Sequence, residues 1–163
     1  MVASFVLLSD ETLAAPAASM TATVDTAYRM FRVTFYGIKD GTGGLVQYRF
    51  NGDSGANYAL EYILANDTTV SAERKTGETQ LAVRAIAFTA NATGIVTIEI
   101  EKPLATTPAR CTSSAAIIST NIRYEADSGE WANVADLIDE ITVLASAGNF
   151  AIGTRILIEG AKP

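Results

Sequence analysis

The chain of 163 residues contains no histidine and a single cysteine. Histidine is the commonest general base, triad member and metal ligand, so its absence argues against most hydrolytic and zinc-dependent chemistry. Cys111 cannot form a disulfide within the chain, and without histidine it lacks the usual activating base. We therefore expect no catalytic residue and no cofactor, and a fold held together by burial and hydrogen bonding.

Charge is also scarce. Charged residues make up 18% of the chain, and 12 basic against 18 acidic side chains give a net charge of −6. Phosphate backbones and anionic lipid headgroups repel such a chain. No apolar run approaches the roughly 20 residues of a membrane helix. A secretory signal would require a basic segment near its start, and no lysine or arginine precedes Arg29. The sequence therefore predicts neither nucleic acid nor membrane as a partner.

Alternation at period 2 is the dominant pattern, and it is typical of strands with one buried face. Between residues 94 and 102, Val96, Ile98 and Ile100 alternate with polar residues. A stretch with some helical character, 132–141, ends in β-branched residues that favour a strand. The predicted strands are 5–8, 19–24, 28–37, 45–51, 58–64, 81–89, 94–102, 116–124, 139–146 and 154–159. The predicted turns are 40–44, 51–55, 66–67, 75–77, 91–94 and 127–129.

Short strands at this spacing predict an all-β fold, an antiparallel β-sandwich in a single domain over residues 1–163. The segment 102–108 contains Pro103 and Pro108, which cannot donate to a central ladder. We expect a long loop or a crossing connection there, as a jelly-roll arrangement requires. Residues 1–18 are expected to form an extended N-terminal arm.

The segment 49–58 concentrates polar and turn-forming residues. Asn51, Asp53 and Asn57 carry oxygen atoms of the kind that ligate Ca²⁺, although their spacing is not that of an EF-hand. The other interpretation is structural: asparagine and aspartate cap their own turn, and Gly52 supplies a positive φ. Both interpretations remain open at this point.

Three other positions have both a chemical and a structural interpretation. Glu99 and Glu101 lie on one strand face about 7 Å apart, a separation that paired glycosidase carboxylates use, but the face is expected to be solvated. Trp131 has a functional interpretation, in which it stacks on a sugar or anchors an interface. Its structural interpretation is that it closes the end of the sandwich. Because no convergent set of titratable groups is visible, we predict that the protein is not an enzyme.

Three segments resemble a group of tailed-bacteriophage virion proteins. Residues 48–58 are similar to the recurring segment R-F-N-G-D-x-G-x-N-Y, and residues 7–13 to an opening L-L-x-D-x-T-L. The end of the chain resembles the closing pattern of that family at 129–131, 149–150 and 153–155. Thr154 departs from the usual serine, and an aromatic residue is missing before Gly160.

The resemblance implies a jelly-roll-like β-sandwich in a phage particle that assembles in the cytoplasm of the host bacterium. It brings no catalytic residue, and it implies that the positions that match the family's segments maintain the fold. These positions are Asn51, Gly52, Asp53, Asn57, Tyr58, Trp131, Asn149 and Phe150.

The resemblance implies a place either on the capsid exterior or in the tail apparatus. Because tail fibres commonly add a long coiled or repetitive shaft and this sequence shows none, we expect a capsid decoration protein that binds the outside of the head and stabilises it. Its partners would be the major capsid protein, other virion proteins and further copies of the chain, with a trimer favoured. Two alternatives stay open. One is a tail, baseplate or receptor-binding component that recognises host-surface glycan, and the other is a carbohydrate-binding module.

Overall fold

A computed structural model describes residues 4–40, 44–83, 93–118 and 122–163, and all regular secondary structure in these ranges is β. The all-β prediction is therefore confirmed. In the same ranges no helix is long and apolar enough to cross a membrane. The strands are β1 (Val6–Thr12), β2 (Ser19–Thr23), β3 (Met30–Asp40), β4 (Val46–Phe50), β5 (Tyr58–Asn66), β6 (Thr69–Glu78), β7 (Leu81–Val83), β8 (Thr93–Glu101), β9 (Ala109–Ile118), β10 (Ile122–Trp131), β11 (Glu140–Ala145), β12 (Asn149–Phe150) and β13 (Arg155–Ala161).

The strands form two antiparallel sheets. The large sheet has the order β1-β13-β3-β8-β9-β10-β5-β6, with the short β12 paired to β3, and the small sheet has the order β2-β11-β4-β7. One hydrophobic cluster contains residues from both sheets, including Phe35 and Ile98 of the large sheet and Tyr48 and Val143 of the small one. The predicted antiparallel β-sandwich is confirmed.

The pairing is nested. β1 pairs with β13, β2 with β11, β3 with β8 and β4 with β7, so the first strand meets the last and the middle strands meet each other. This order arises when one long antiparallel hairpin is rolled into two facing sheets, which is the jelly-roll arrangement. Two further hairpins, β5–β6 and β9–β10, widen the large sheet. They are joined to each other by the pairing of β5 with β10.

Two predicted elements around β10 are wrong. The predicted strand 116–124 is divided between the end of β9 and the start of β10, which pair as a hairpin. The predicted turn 127–129 lies inside β10, where the buried Asp127 accepts a hydrogen bond of 2.7 Å from the Ser113 hydroxyl. Gly129 leaves room for Leu81, whose Cδ2 would lie 2.9 Å from an added Cβ. Polar residues in the interior explain why the sequence pattern suggested a turn.

The other differences concern exposed segments. The sequence did not predict β6, because both of its faces are largely exposed and it shows no alternation. The turn expected at 75–77 lies within β6, where Gly77 has a φ of +69° next to an irregularity in the pairing with β5. The segment 102–108 is a loop as expected. It connects neighbouring strands of one sheet, so the expected crossing between sheets is wrong. Predicted positions 84–89 lie outside the described residues.

The N-terminal segment also differs from its prediction. Val6–Thr12 form the edge strand β1, and the Leu13 amide donates to the Thr154 carbonyl at 2.8 Å. Ala17 forms a bridge with Phe150. The described part of the expected arm therefore belongs to the sandwich, because its backbone groups find partners on β13 and β12.

Gly160 tests how β1 docks. A Cβ at this position would lie 2.5 Å from Leu8 Cδ1 and 2.9 Å from a ring carbon of Tyr28. We expect Gly160→Ala to lower the free energy of unfolding by about 1–3 kcal/mol, the usual cost of overpacking. Urea denaturation measures this, and the double variant with Leu8→Ala should lose less than the sum of the single losses. Additive losses would contradict a direct contact between these two positions.

Candidate functional site

The segment 51–58 forms a tight corner between the two sheets. Asn51 and Gly52 have φ values of +52° and +62°, and the Asp53 amide donates to the Phe50 carbonyl at 2.9 Å. Two successive left-handed residues define a turn for which asparagine followed by glycine is the preferred sequence. This turn takes the chain from β4 in the small sheet to β5 in the large sheet.

The Asn51 side chain connects this turn to the segment before β11. Its Oδ1 accepts from the amides of Asp139 (3.0 Å) and Glu140 (3.2 Å). Its Nδ2 donates to the Leu137 carbonyl at 2.7 Å. Both ends of the amide are therefore engaged by the backbone, which fixes the approach to β11.

Asp53 is the acceptor at the centre of the corner. Its Oδ2 accepts from Trp131 Nε1 at 2.7 Å and from Asn57 Nδ2 at 2.9 Å, and its Oδ1 accepts from the Gly55 amide at 2.8 Å. Burial by itself would raise the pKa of Asp53, but the hydrogen bonds from Trp131, Asn57 and Gly55 outweigh it. The pKa is lowered from its ordinary value of 3.8, and the carboxylate stays charged at neutral pH.

Tyr58 closes the inner side of the same corner. Its hydroxyl accepts from the Phe50 amide at 3.1 Å and lies 3.2 Å from the Asp53 carbonyl, to which it donates. Burial is the main reason why the pKa of Tyr58 is raised. The ring packs beside Phe50 and Trp131, with centroids 6.3 and 6.5 Å away. The corner is thus a hydrogen-bonded shell around an aromatic cluster.

Asn149 and Phe150 lie on a different part of the sandwich. They form β12, which pairs with Asp40 and Lys39 of β3. Phe150 is buried with its ring edge-on to Phe35, 4.9 Å between centroids, whereas Asn149 is exposed. These two residues support the core and do not join the Asp53 corner.

The calcium interpretation of Asn51, Asp53 and Asn57 does not fit this geometry. The oxygens of Asn51 and Asp53 accept from protein N–H groups, and Asn57 turns its amide nitrogen toward Asp53. A hard cation needs oxygen atoms that converge on one point. Across the described ranges, no group of three or more histidine, cysteine, aspartate or glutamate side chains is placed to hold a metal.

The remaining candidates also have assigned places. Trp131 is fully buried, so its proposed stacking on a sugar is wrong. Glu99 is exposed and accepts from Arg32 at 3.0 Å, and Glu101 is exposed on the same face. Cys111 is buried, and burial raises the pKa of its thiol, which therefore stays protonated at neutral pH.

Lys102 is a buried cation that the sequence analysis did not identify. Its Nζ donates to the carbonyls of Thr107, Asn133 (2.6 Å) and Ala105 (3.3 Å) and lies 5.3 Å from the Trp131 ring centroid. Burial lowers the pKa of this lysine. Lys102 therefore ties the loop after β8 to the segment after β10. Pro103 and Pro108 in that loop were the sequence signal that could have indicated an ordered loop around Lys102.

The outward side of the large sheet, called here the outer face, carries exposed and half-buried side chains. The register of the strands sorts its side chains into rows that cross the sheet. The charged row is Glu159, Arg32, Glu99, Thr112, Ser128, Glu61 and Arg74, in the strand order β13-β3-β8-β9-β10-β5-β6. The apolar row is Arg155, Tyr36, Ile95, Ala116, Tyr124, Ala65 and Val70 in the same order.

The two rows give the outer face two different ends. At the apolar row, Tyr124 is 52% exposed and Val70 is 71% exposed. At the charged row, a groove of about 880 Å³ has Thr112 and Ser128 on its floor and charged side chains such as Glu61 and Arg74 at its sides. This end offers hydroxyls, carboxylates and guanidinium groups, and the other end offers hydrophobic contact.

Asp53→Asn tests the corner. An amide cannot accept from all three N–H donors, so we expect the free energy of unfolding to fall by about 1–3 kcal/mol at pH 7. Because folding lowers the pKa of Asp53, the carboxylate stabilises the protein above pH 4 and that stabilisation is lost as the pH falls further. The difference between wild type and variant should therefore shrink at pH 3.

The measurement is urea denaturation at both pH values. The matched control is Asp67→Asn, an exposed position with a φ of +52° that asparagine tolerates. A loss at Asp53 that is no larger than the loss at Asp67 would contradict the role of the corner.

Comparison of the sequence with known proteins adds one finding. It matches no protein-family model and no curated protein.

Proposed function

We propose that the chain is a structural protein of a tailed-bacteriophage virion and that it decorates the outside of the head. The observation that carries this proposal is the open outer face of the large sheet. Apolar side chains cross six neighbouring strands there, and the large ones, Tyr36, Ile95, Tyr124 and Val70, are at least 40% exposed. Monomeric proteins rarely expose a contiguous apolar patch of this kind, which is typical of an assembly surface.

The phage-like motif supports the proposal through its place in the fold. Residues 51–58 are used entirely to build the corner between the sheets, so the motif is explained by architecture. The resemblance is to virion proteins with a jelly-roll domain, and the nested strand order is that of a jelly roll.

The arrangement of titratable groups favours a structural role over catalysis. Glu125 is completely buried and Asp127 nearly so, and neither lines the groove on the outer face. On that face, Arg32 and Glu99 are exposed and paired at 3.0 Å.

A decoration protein stabilises a shell because it binds the assembled state and not the free subunits. Its interface needs shape and apolar contact more than reactive groups, and many weak contacts suffice when the site is repeated over the particle. The proposed partners are the major capsid protein and other virion proteins, and the proposed location is the assembled virion.

A second candidate is glycan recognition, either by a tail or receptor-binding component or by a carbohydrate-binding module. The groove at the charged row favours it, because hydroxyls, carboxylates and guanidinium groups all form hydrogen bonds with sugar hydroxyls. The Phe5 ring beside the groove lies 4.7 Å from the Arg32 guanidinium and offers a stacking surface. This candidate uses the groove and not Trp131.

The test mixes the purified protein with undecorated capsids, sediments the particles and follows capsid melting. We expect binding to saturate at a copy number set by the icosahedral lattice, and the melting temperature of the capsid to rise with occupancy. Glu61→Gln changes the charged row and leaves the apolar row intact, so capsid binding through the apolar row should be unchanged. Failure to bind heads, together with adsorption to host cells that Glu61→Gln weakens, would contradict the decoration role and support the glycan candidate.

A further inference from the structure

Seven of the eight strands in the path of the large sheet, from β13 to β6, have a symmetric arrangement, and the edge strand β1 lies beyond β13. β9 lies at the centre of the seven strands from β13 to β6, with β8, β3 and β13 on one side and β10, β5 and β6 on the other. A two-fold axis along β9 would place a second copy face to face with the first. It would lay β8 over β10, β3 over β5 and β13 over β6 of the other copy.

The charged row is complementary to itself under this operation. Glu159 comes opposite Arg74 of the second copy, and Arg32 comes opposite Glu61 of the second copy. Glu99 meets the hydroxyl of Ser128 of the second copy, and Thr112 lies on the axis. Each contact occurs twice, so the row forms four pairs of opposite charge and none of like charge.

The apolar row matches in the same operation. Ile95 comes opposite Tyr124 of the second copy, Tyr36 comes opposite Ala65 of the second copy, and Ala116 lies on the axis. At the outer end of the row, Arg155 comes opposite Val70 of the second copy, so the hydrophobic match is confined to the five central strands. Between the two rows, the outward residues of β9 and β10 are the small Ser114 and Ala126. Small side chains along the axis let the two sheets approach to the roughly 10 Å of packed sheets.

A fourth row, which contains Glu101, Arg110 and Glu130, contributes the least to the contact. It places Glu101 opposite Glu130 of the second copy, with both Arg110 side chains at the axis between them. Two guanidinium groups and four carboxylates then share one end of the face. The apolar and charged rows must therefore provide most of the affinity.

The size of the face fits a stable pair. Six strand spacings of about 4.8 Å and the three spacings of about 7 Å between four rows span roughly 600 Å² per copy, the lower limit of the roughly 600–1,000 Å² that specific interfaces bury on each partner. A standard protein interface buries about 800 Å² on each partner. Packed sheets cross at about 30°, which displaces the outermost strands, and the long side chains of Arg74 and Glu159 can follow that displacement.

We propose that the outer face binds a second copy of the chain, with the two-fold axis along β9. The proposal rests on the assembly role proposed above and assigns the outer face to the contact between copies, so that the shell would contact another surface of the dimer. An isologous face-to-face contact gives a dimer, so a trimer of the kind expected from the sequence would have to use a different surface.

The first experiment measures the mass of the full chain by sedimentation equilibrium from micromolar to millimolar concentration. We expect twice the 17.2 kDa of one chain, and we expect Ala116→Arg to shift the equilibrium to the monomer because two arginines then meet at the axis. The matched control is Thr23→Arg on the exposed edge strand β2, which should remain dimeric. A dimer that persists in Ala116→Arg, or a wild-type trimer that this variant does not affect, would overturn the proposal.

The second experiment tests the charge pairing. Arg74→Glu or Glu159→Arg alone should weaken dimerisation about tenfold, since each creates two like-charge contacts. The double variant Arg74→Glu/Glu159→Arg restores opposite charges and should recover the wild-type affinity to within about threefold. Independent, additive effects of the two changes would show that these residues do not meet.

Capsid binding separates this proposal from the proposed function. A dimeric wild type, together with capsid binding by the monomeric Ala116→Arg, would show that the shell contacts a surface other than the outer face, and would support both the second-copy contact and the decoration role. A wild type that is monomeric at every concentration, with capsid binding lost in Ala116→Arg, would mean that the shell covers the outer face. That result overturns the second-copy proposal and leaves the decoration role intact.

Discussion

The hydrogen bond from the Trp131 indole to the Asp53 carboxylate fixes the point at which the two sheets are joined. Trp131 ends β10 in the large sheet, and Asp53 follows the turn after β4 in the small sheet. The indole carries its N–H into a buried position, where an unsatisfied donor would be costly. Asp53 satisfies that donor and, through Asn57 and Gly55, fixes the loop before β5. Lys102 reinforces the same end of the sandwich from below the Trp131 ring.

The sequence predicted those strands that have one apolar and one polar face. β3, β4 and β8 alternate because one side of each packs into the core. β10 was not predicted as one strand, because Glu125 and Asp127 occupy interior positions. β6 was not predicted, because neither of its faces is buried. Apolar and polar residues alternate only where one face of a strand is buried and the other is exposed. A strand whose two faces have similar environments therefore cannot be predicted from alternation.

For the candidate site, the sequence predicted the turn residues but not their partners. Turn chemistry grouped Asn51, Gly52 and Asp53 correctly, since only a few residue types adopt two successive left-handed conformations. The partners of that turn, Trp131 and Leu137, lie more than 70 residues away, and local patterns contain no information on them. The outer face is a stronger example, because its rows exist only once the register of seven strands is known. Arg32 and Glu99, separated by 67 positions, become neighbours through that register alone.

The nested pairing has a consequence for how the chain is made. β1 pairs with β13, so Val6 meets Gly160 and the first strand has no partner until the last has been synthesised. Contacts between residues so distant in sequence cost loop-closure entropy before they contribute stability, which makes such topologies slow to fold. The hairpins β5–β6 and β9–β10 close locally and can form while the chain is still growing. We therefore expect the inserted hairpins to form first and β1 and β13 to pair last, at one edge of the large sheet.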